Sequence, residues 1–161
     1  MMNRISKFEK ISYTQSLKDC VDDYYDDIIL PKRATSGSAG YDFFIPFDLE
    51  LKPNSVITIK TGIRCKIENG WVLSIYPRSS LGFKYRTTLA NTVGIIDSDY
   101  YYALNEGHIM IKICNNSNDV LKLEKGKAFA QGIFTQYGIT IDDECSEQRI
   151  GGFGSSDKIK L

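Results

Sequence analysis

The sequence holds little from which to build a metal cage or a histidine-based catalyst. One histidine, His108, is present among 161 residues, and the four cysteines, Cys20, Cys65, Cys114 and Cys145, stand far apart with no C-x-x-C pair. A multi-histidine site is excluded and a zinc site is without support. The thiols are expected to be reduced and mostly buried, and His108 to be structural. A Cys114–His108 dyad is excluded if a strand joins them, because six residues of strand span about 20 Å. Neither sign of charge is in excess, with 20 Lys and Arg against 20 Asp and Glu. No nucleic-acid footprint and no basic membrane-binding stretch is therefore expected. No uncharged run reaches the ~18 residues of a membrane span, and the opening MMNRISKFEK has no apolar segment of the signal-peptide kind. A cytoplasmic protein is the expectation. Internal repeats and low-complexity linkers are also missing, and the length suits one domain with a sizeable core.

What is present is a strand-rich chain behind an acidic N-terminal extension. In residues 1–30, SYTQ (Ser12 to Gln15) reads as a capping box opening a short helix. Leu17 and Val21, four apart, would share one face of it. Asp19, Asp22, Asp23, Asp26 and Asp27 read as a solvated acidic face. From Leu30 onward, short apolar alternations follow one another. SVITIKTGIRCKI places Ile57, Ile59, Ile63, Cys65 and Ile67 on one side, and HIMIKI sets Ile109, Ile111 and Ile113 against His108, Met110 and Lys112. WVLSIY is a short apolar run, and VLKLEKGKAFAQGIF reads as two strands around Lys125-Gly126. Short strands at this spacing predict an all-β sandwich or jelly roll over residues 31–147, followed by a flexible arm over residues 148–161.

Five stretches are richer in polar residues and glycine than structure alone requires. AGYDFF sets Asp42 within a strand-like aromatic run. PRSSLG offers Arg78, Ser79, Ser80 and a turn glycine, Gly82. NTVGIIDSDYY carries Asp97 and Asp99 ahead of Tyr100. AQGIF holds Gln131 on a strand, and RIGGFGSS surrounds Phe153 with bare backbone. An arginine fork with two hydroxyls and an amide is chemistry for phosphate oxygens.

In this order the five stretches resemble the trimeric dUTPase family, over about Pro31 to Ser156, with GIIDSDY and GGFGSS the most specific. The resemblance implies an all-β jelly-roll-like fold with a short N-terminal helix, assembled as a homotrimer whose active sites are shared between subunits. It implies hydrolysis of dUTP to dUMP and pyrophosphate with Mg²⁺, which keeps uracil out of DNA and supplies dUMP for dTMP synthesis. It assigns Arg78, Ser79, Ser80 and Gln131 to the phosphate chain, Asp42 to Mg²⁺ through water, and Asp97 to activation of the attacking water. NTVGII would bend into a hairpin that reads uracil with backbone groups, Gly94 and Ile96 lying in it and Asn91 touching the base. Gly94 would permit close approach of the base. Tyr100 would pack on deoxyribose, and Met110 would line the base pocket. In the arm, Phe153 would stack on uracil, Arg149 would meet the γ-phosphate, and Gly154 and Ser155 would offer amides to phosphate. For Asp99 the reading is a turn or ion-pair residue.

Two features depart from the commonest family pattern. YYALNEGHI inserts about five residues after DSDY, as in a bacterial and phage branch of the family, and Arg149 stands four residues before Phe153 rather than five. Two other readings stay open at this level. One is dCTP deamination on the same fold, for which Glu106 is the only nearby activating glutamate. The other is a nucleotide-responsive protein that regulates a partner.

Overall fold

A computed structural model describes residues 3–147, 149 and 151. In chain order its strands are β1 (Ser6–Lys10), β2 (Lys32–Arg33), β3 (Tyr41–Phe44), β4 (Leu49–Leu51), β5 (Ser55–Lys60), β6 (Ile63–Ile67), β7 (Trp71–Pro77), β8 (Thr88–Leu89), β9 (Gly94–Ile96), β10 (Met110–Asn115), β11 (Leu121–Leu123) and β12 (Ala128–Gln136). Two short helices, α1 (Tyr13–Asp19) and α2 (Ser79–Tyr85), and 3₁₀ turns at Asp22–Tyr24 and Ser98–Tyr102 complete the described elements. Five strands form the largest sheet in the order β2-β3-β12-β7-β9. A second sheet has the order β5-β10-β8, and two-stranded ribbons join β1 to β6 and β4 to β11. Every pairing is antiparallel. This is the all-β, jelly-roll-like architecture that the strand spacing predicts.

The alternation of the sequence becomes the core. Of the eight positions that the alternation assigns to the core in SVITIKTGIRCKI and HIMIKI, all but the half-buried Ile57 lie inside. They meet Phe43, Leu73, Ile75 and Phe129, each at most 1% exposed, from the five-stranded sheet. One apolar cluster thus draws on all four sheets, which is how a sandwich hides one face of each strand.

The N-terminal extension differs from its reading. A strand precedes the helix: β1 pairs with β6 from Ser6↔Ile67 to Lys10↔Ile63. Phe8 explains why it adheres, because its ring lies 5.4 Å from Tyr41 and 5.8 Å from both Phe43 and Phe134, as aromatic pairs prefer. Half of the capping box forms. Ser12 Oγ accepts the Gln15 amide at 3.0 Å, but the Gln15 side chain turns to Asp19 instead of reaching back. Leu17 and Val21 do not share a buried face. The helix stops at Asp19, Cys20 is left-handed at φ 54°, and Val21 is fully buried while Leu17 is 51% exposed. The acidic run is not uniformly solvated either, since Asp19 binds His108 and Asp27 pairs with Lys125. Of the cysteines only Cys65 is buried, its thiol pushed up to about 12 chiefly by burial; Cys20 and Cys145 are exposed and Cys114 is intermediate.

His108 breaks the expected alternation, because it is fully buried just before β10. The Gly62 amide donates to its Nε2 at 2.8 Å, and Nδ1 lies 2.6 Å from Asp19 Oδ2. An Nε2 that accepts carries no proton, so the ring is neutral and Nδ1–H donates to Asp19. Burial lowers its pKa below the usual histidine value, against the raising effect of the Asp19 hydrogen bond. The unfolded chain therefore takes up this proton first as pH falls, and the stability contributed by neutral His108 is present above pH ~6.5 and lost below it. The thermal midpoint is expected to be level just above that pH and to fall as the pH drops below it. With one histidine in the chain, a midpoint that rises on acidification below that pH would contradict the assignment.

Candidate functional site

Three of the five polar stretches meet at one end of the central sheet. In β12, Gln131 stands opposite Asp42 of β3 on one side and Tyr76 of β7 on the other. Its Nε2 donates to Pro77 O at 3.2 Å. Arg78 follows Pro77, and its Nε lies 3.2 Å from Asp42 Oδ1. Residues 42, 78 and 131 converge because β3, β12 and β7 are neighbours in register, not through proximity in sequence. PRSSLG is a helix start rather than a turn: Ser79 and Ser80 open α2 and are exposed, and Gly82 lies within the helix. An open cleft of about 710 Å³ runs from Arg78 and Ser80 to Lys127 and Asp48. Lys127 was not singled out in the sequence, although the Gly126-Lys127 pair just ahead of β12 was the available signal.

The stretch NTVGIIDSDYY is built in two halves. β8 pairs with β10 and β9 pairs with β7, so the two arms around Asn91 belong to different sheets and form no hairpin ladder. A tight turn joins them, with the Thr92 amide on Leu89 O at 3.1 Å and Thr92 at φ 68°. Ala90 N donates to Lys112 O, and the same register carries Asn91 toward the start of β10, where Met110 is half-buried. β9 is nevertheless an edge strand, with Ile95 56% exposed and Ile96 buried. Its outer edge presents the unpaired backbone groups that a base could read. Gly94 has a nearer reason than base approach, since a Cβ there would lie 3.1 Å from Ile75 Cβ.

Asp97 ends β9 and opens the 3₁₀ turn Ser98–Tyr102 without capping it. Asp97 and Asp99 are not on one strand face. The turn brings both carboxylates to Arg149, whose Nη2 is 2.6 Å from Asp97 Oδ2 and whose Nε is 3.1 Å from Asp99 Oδ1. The same guanidinium lies 5.7 Å from the centre of the Tyr100 ring. Arg149, expected at the γ-phosphate, thus covers its own chain's Asp97. Tyr100 is 5% exposed. Its hydroxyl donates to His108 O at 2.8 Å and accepts from Asn105 Nδ2, and burial raises its pKa. Phe153, Gly154 and Ser155 lie outside the described residues.

The two halves of the site do not meet within one chain. Ile96 stands opposite Leu73 and Gly94 opposite Ile75, so Asp97 falls beside Val72. Arg78 follows the other end of that strand, six residues and about 20 Å away. This exceeds the length of a triphosphate.

The insertion is tied down elsewhere. Glu106 accepts from Ser12 N at 2.8 Å and from Ser12 Oγ at 2.6 Å, and Arg64 Nη1 is 3.6 Å away. These bonds hold its pKa below the usual carboxylate value against desolvation. Glu106 is therefore a brace on the N-terminal helix, and the candidate activating glutamate for deamination is lost.

The sequence model of the dUTPase family matches residues 26–157. The chain belongs to the dUTPase family. It is 39% identical over 132 residues to the deoxyuridine 5'-triphosphate nucleotidohydrolase of Lactococcus lactis (strain IL1403), covering 80% of this chain and 88% of that protein. Among solved structures, the dUTPase of Streptococcus mutans superposes with a TM-score of 0.68 at 35% identity, covering 84% of this chain and 98% of that one. A mutant dUTPase of phage phi11 of S. aureus, described with a structural Mg(II) ion, shares the fold at 19% identity with a TM-score of 0.66, covering 89% and 98%. The family match begins after β1 and α1, so this part of the dUTPase chain lies outside it. No helix among the described residues is long and apolar enough to cross a membrane.

Proposed function

We propose that the protein hydrolyses dUTP to dUMP and pyrophosphate in the cytoplasm, as a homotrimer whose active sites draw on more than one chain. By removing dUTP and yielding dUMP it would keep uracil out of DNA and feed dTMP synthesis. The observation that carries this reading is the convergence of Asp42, Arg78 and Gln131 at one end of the sheet, in a chain of this family. Arg78 and Gln131, with the hydroxyls of Ser79 and Ser80, offer donors to the phosphate chain. Asp97 takes a proton from a water as its oxygen attacks the α-phosphorus. The bond from that phosphorus to the bridging oxygen breaks, and pyrophosphate leaves. Arg149 engages Asp97 Oδ2 and leaves the carboxylate partly exposed to that water.

The donor set near Arg78 suits Mg²⁺ held by water rather than by a protein cage. Asp42 contributes one carboxylate, and no group of three or more His, Cys, Asp or Glu converges among the described residues. Asp42 would hold the ion through its waters; bound there, Mg²⁺ would supply neutralisation of the phosphate charge. The separation of Asp97 from Arg78 supports a shared site, because a second copy must bring one half to the other. Uracil would be read by the edge of β9 and the turn at Asn91, with Met110 beside it, and the Phe153 arm would close over it.

Pyrophosphate release from dUTP, dCTP, dTTP and UTP with Mg²⁺ tests the reading. dUTP is expected to exceed each of the others by at least about 10²-fold in kcat/KM, because backbone groups that pair with uracil are left unpaired by the wrong base. Equal rates on all four would overturn it, and ammonia release from dCTP would replace it with deamination.

A further inference from the structure

The N-terminal extension reaches the loop behind Asp97 at three separate points. Tyr101 Oη donates to Glu9 Oε2 at 2.6 Å. Ser12 donates twice to Glu106, at 2.8 and 2.6 Å. Asp19 Oδ2 binds His108 Nδ1 at 2.6 Å, and His108 O accepts the Tyr100 hydroxyl at 2.8 Å. Arg64 of β6 stands at the centre, its guanidinium 4.5 Å from the centre of the Tyr101 ring and 3.4 and 3.6 Å from the carboxylates of Glu9 and Glu106.

Each contact joins residues 89 to 94 positions apart. Each also lands on Tyr101, within the 3₁₀ turn that follows Asp97, or on Glu106 or His108 a few residues beyond it. Gly107 shows how tightly this loop closes: it sits at φ +70°, and a Cβ would come within 2.6 Å of Tyr100 O. Glu9, Ser12 and Asp19 all precede the region that the family model matches.

We infer that Glu9, Ser12 and Asp19 are positioning residues for Asp97, which hold the Tyr101–His108 loop against β6 and so fix the turn that aims the Asp97 carboxylate. The inference rests on Asp97 being the general base. A base misaimed by a fraction of an ångström loses rate without losing substrate. The brace therefore acts on kcat and leaves KM nearly unchanged.

Three variants test it. Tyr101→Phe removes one oxygen and keeps the ring on Arg64, so folding is preserved. Glu106→Ala removes both Ser12 bonds, and Glu106→Gln restores an acceptor. Backbone amide exchange across residues 98–103, which needs no substrate, is expected to quicken roughly tenfold in the first two. Their kcat for dUTP is expected to fall roughly tenfold or more, with KM within about twofold, and Glu106→Gln should recover part of the loss. Unchanged kcat in Tyr101→Phe and Glu106→Ala would overturn the inference, as would a lower kcat without faster exchange. If the wild-type chain itself releases no pyrophosphate from dUTP, the proposed activity fails instead, and the exchange result still reports on the brace.

Discussion

Asp97→Asn is expected to leave the fold and nucleotide binding in place while lowering turnover by about 10²–10⁴-fold, the usual contribution of a positioned general base. The fold should tolerate the change because the side chain supports little of it. Asp97 makes no capping bond to the turn it opens, its carboxylate is 46% exposed, and its ionic partner is Arg149 in the C-terminal segment. A pair exposed to that degree contributes at most about 1 kcal/mol. The measurement is steady-state pyrophosphate release beside calorimetric binding of a non-hydrolysable dUTP analogue. Near-normal turnover in a folded variant would remove Asp97 from the role, whereas loss of binding as well would make it a substrate ligand.

A second large effect concerns assembly. Take two inactive chains, Asp97→Asn and a chain ended after Gln148, and refold them together in equal amounts. If the base and the arm of one site come from different chains, random assortment in a closed ring gives about a quarter of the sites an intact Asp97 and an intact arm. Activity should then return to about that fraction of wild type, far above either parent. The distance from Asp97 to Arg78 supports a site made by more than one copy, but it does not say which chain lends the arm. The contact of Arg149 with Asp97 and Asp99 of its own chain argues the other way. If the arm serves the Asp97 of its own chain, no mixture regains activity, even with mixed trimers confirmed by native mass spectrometry. Truncation alone should leave the assembly folded, since the removed segment is polar and glycine-rich and the residues leading to it, 137–147, are already exposed.

Ile59, Cys65, Ile111 and Ile113 were assignable to the core from the sequence, because a strand's alternation of faces is a local property of its backbone. The candidate site residues stand out for a similar reason. Asp42, Arg78, Asp97 and Gln131 each lie in a short stretch whose composition exceeds what a strand or turn requires. Misreadings arose where local signals were weak or tertiary contacts overrode them. PRSSLG reads as a turn until α2 forms, and Leu17 and Val21 share a helical face only if the helix passes Cys20. β1 has no clean alternation, and it is held by Phe8 on rings from distant strands.

By itself, then, the sequence determined the strand-rich class, the core stripes and the family, and it singled out the side chains proposed for the chemistry. Only the tertiary structure decided what those side chains face. Registers between β3, β12 and β7 bring Asp42 and Gln131 to Arg78, while the register of β9 on β7 sends Asp97 to the far end. The partners of Glu106 and His108 lie at Ser12 and Asp19, in an N-terminal extension that reads as a short helix with a solvated acidic face. Periodicity is written along the chain, because each residue's face follows from its neighbours. A hydrogen bond across about 90 residues depends on how whole strands are ordered and aligned, and that is set by packing the entire core at once.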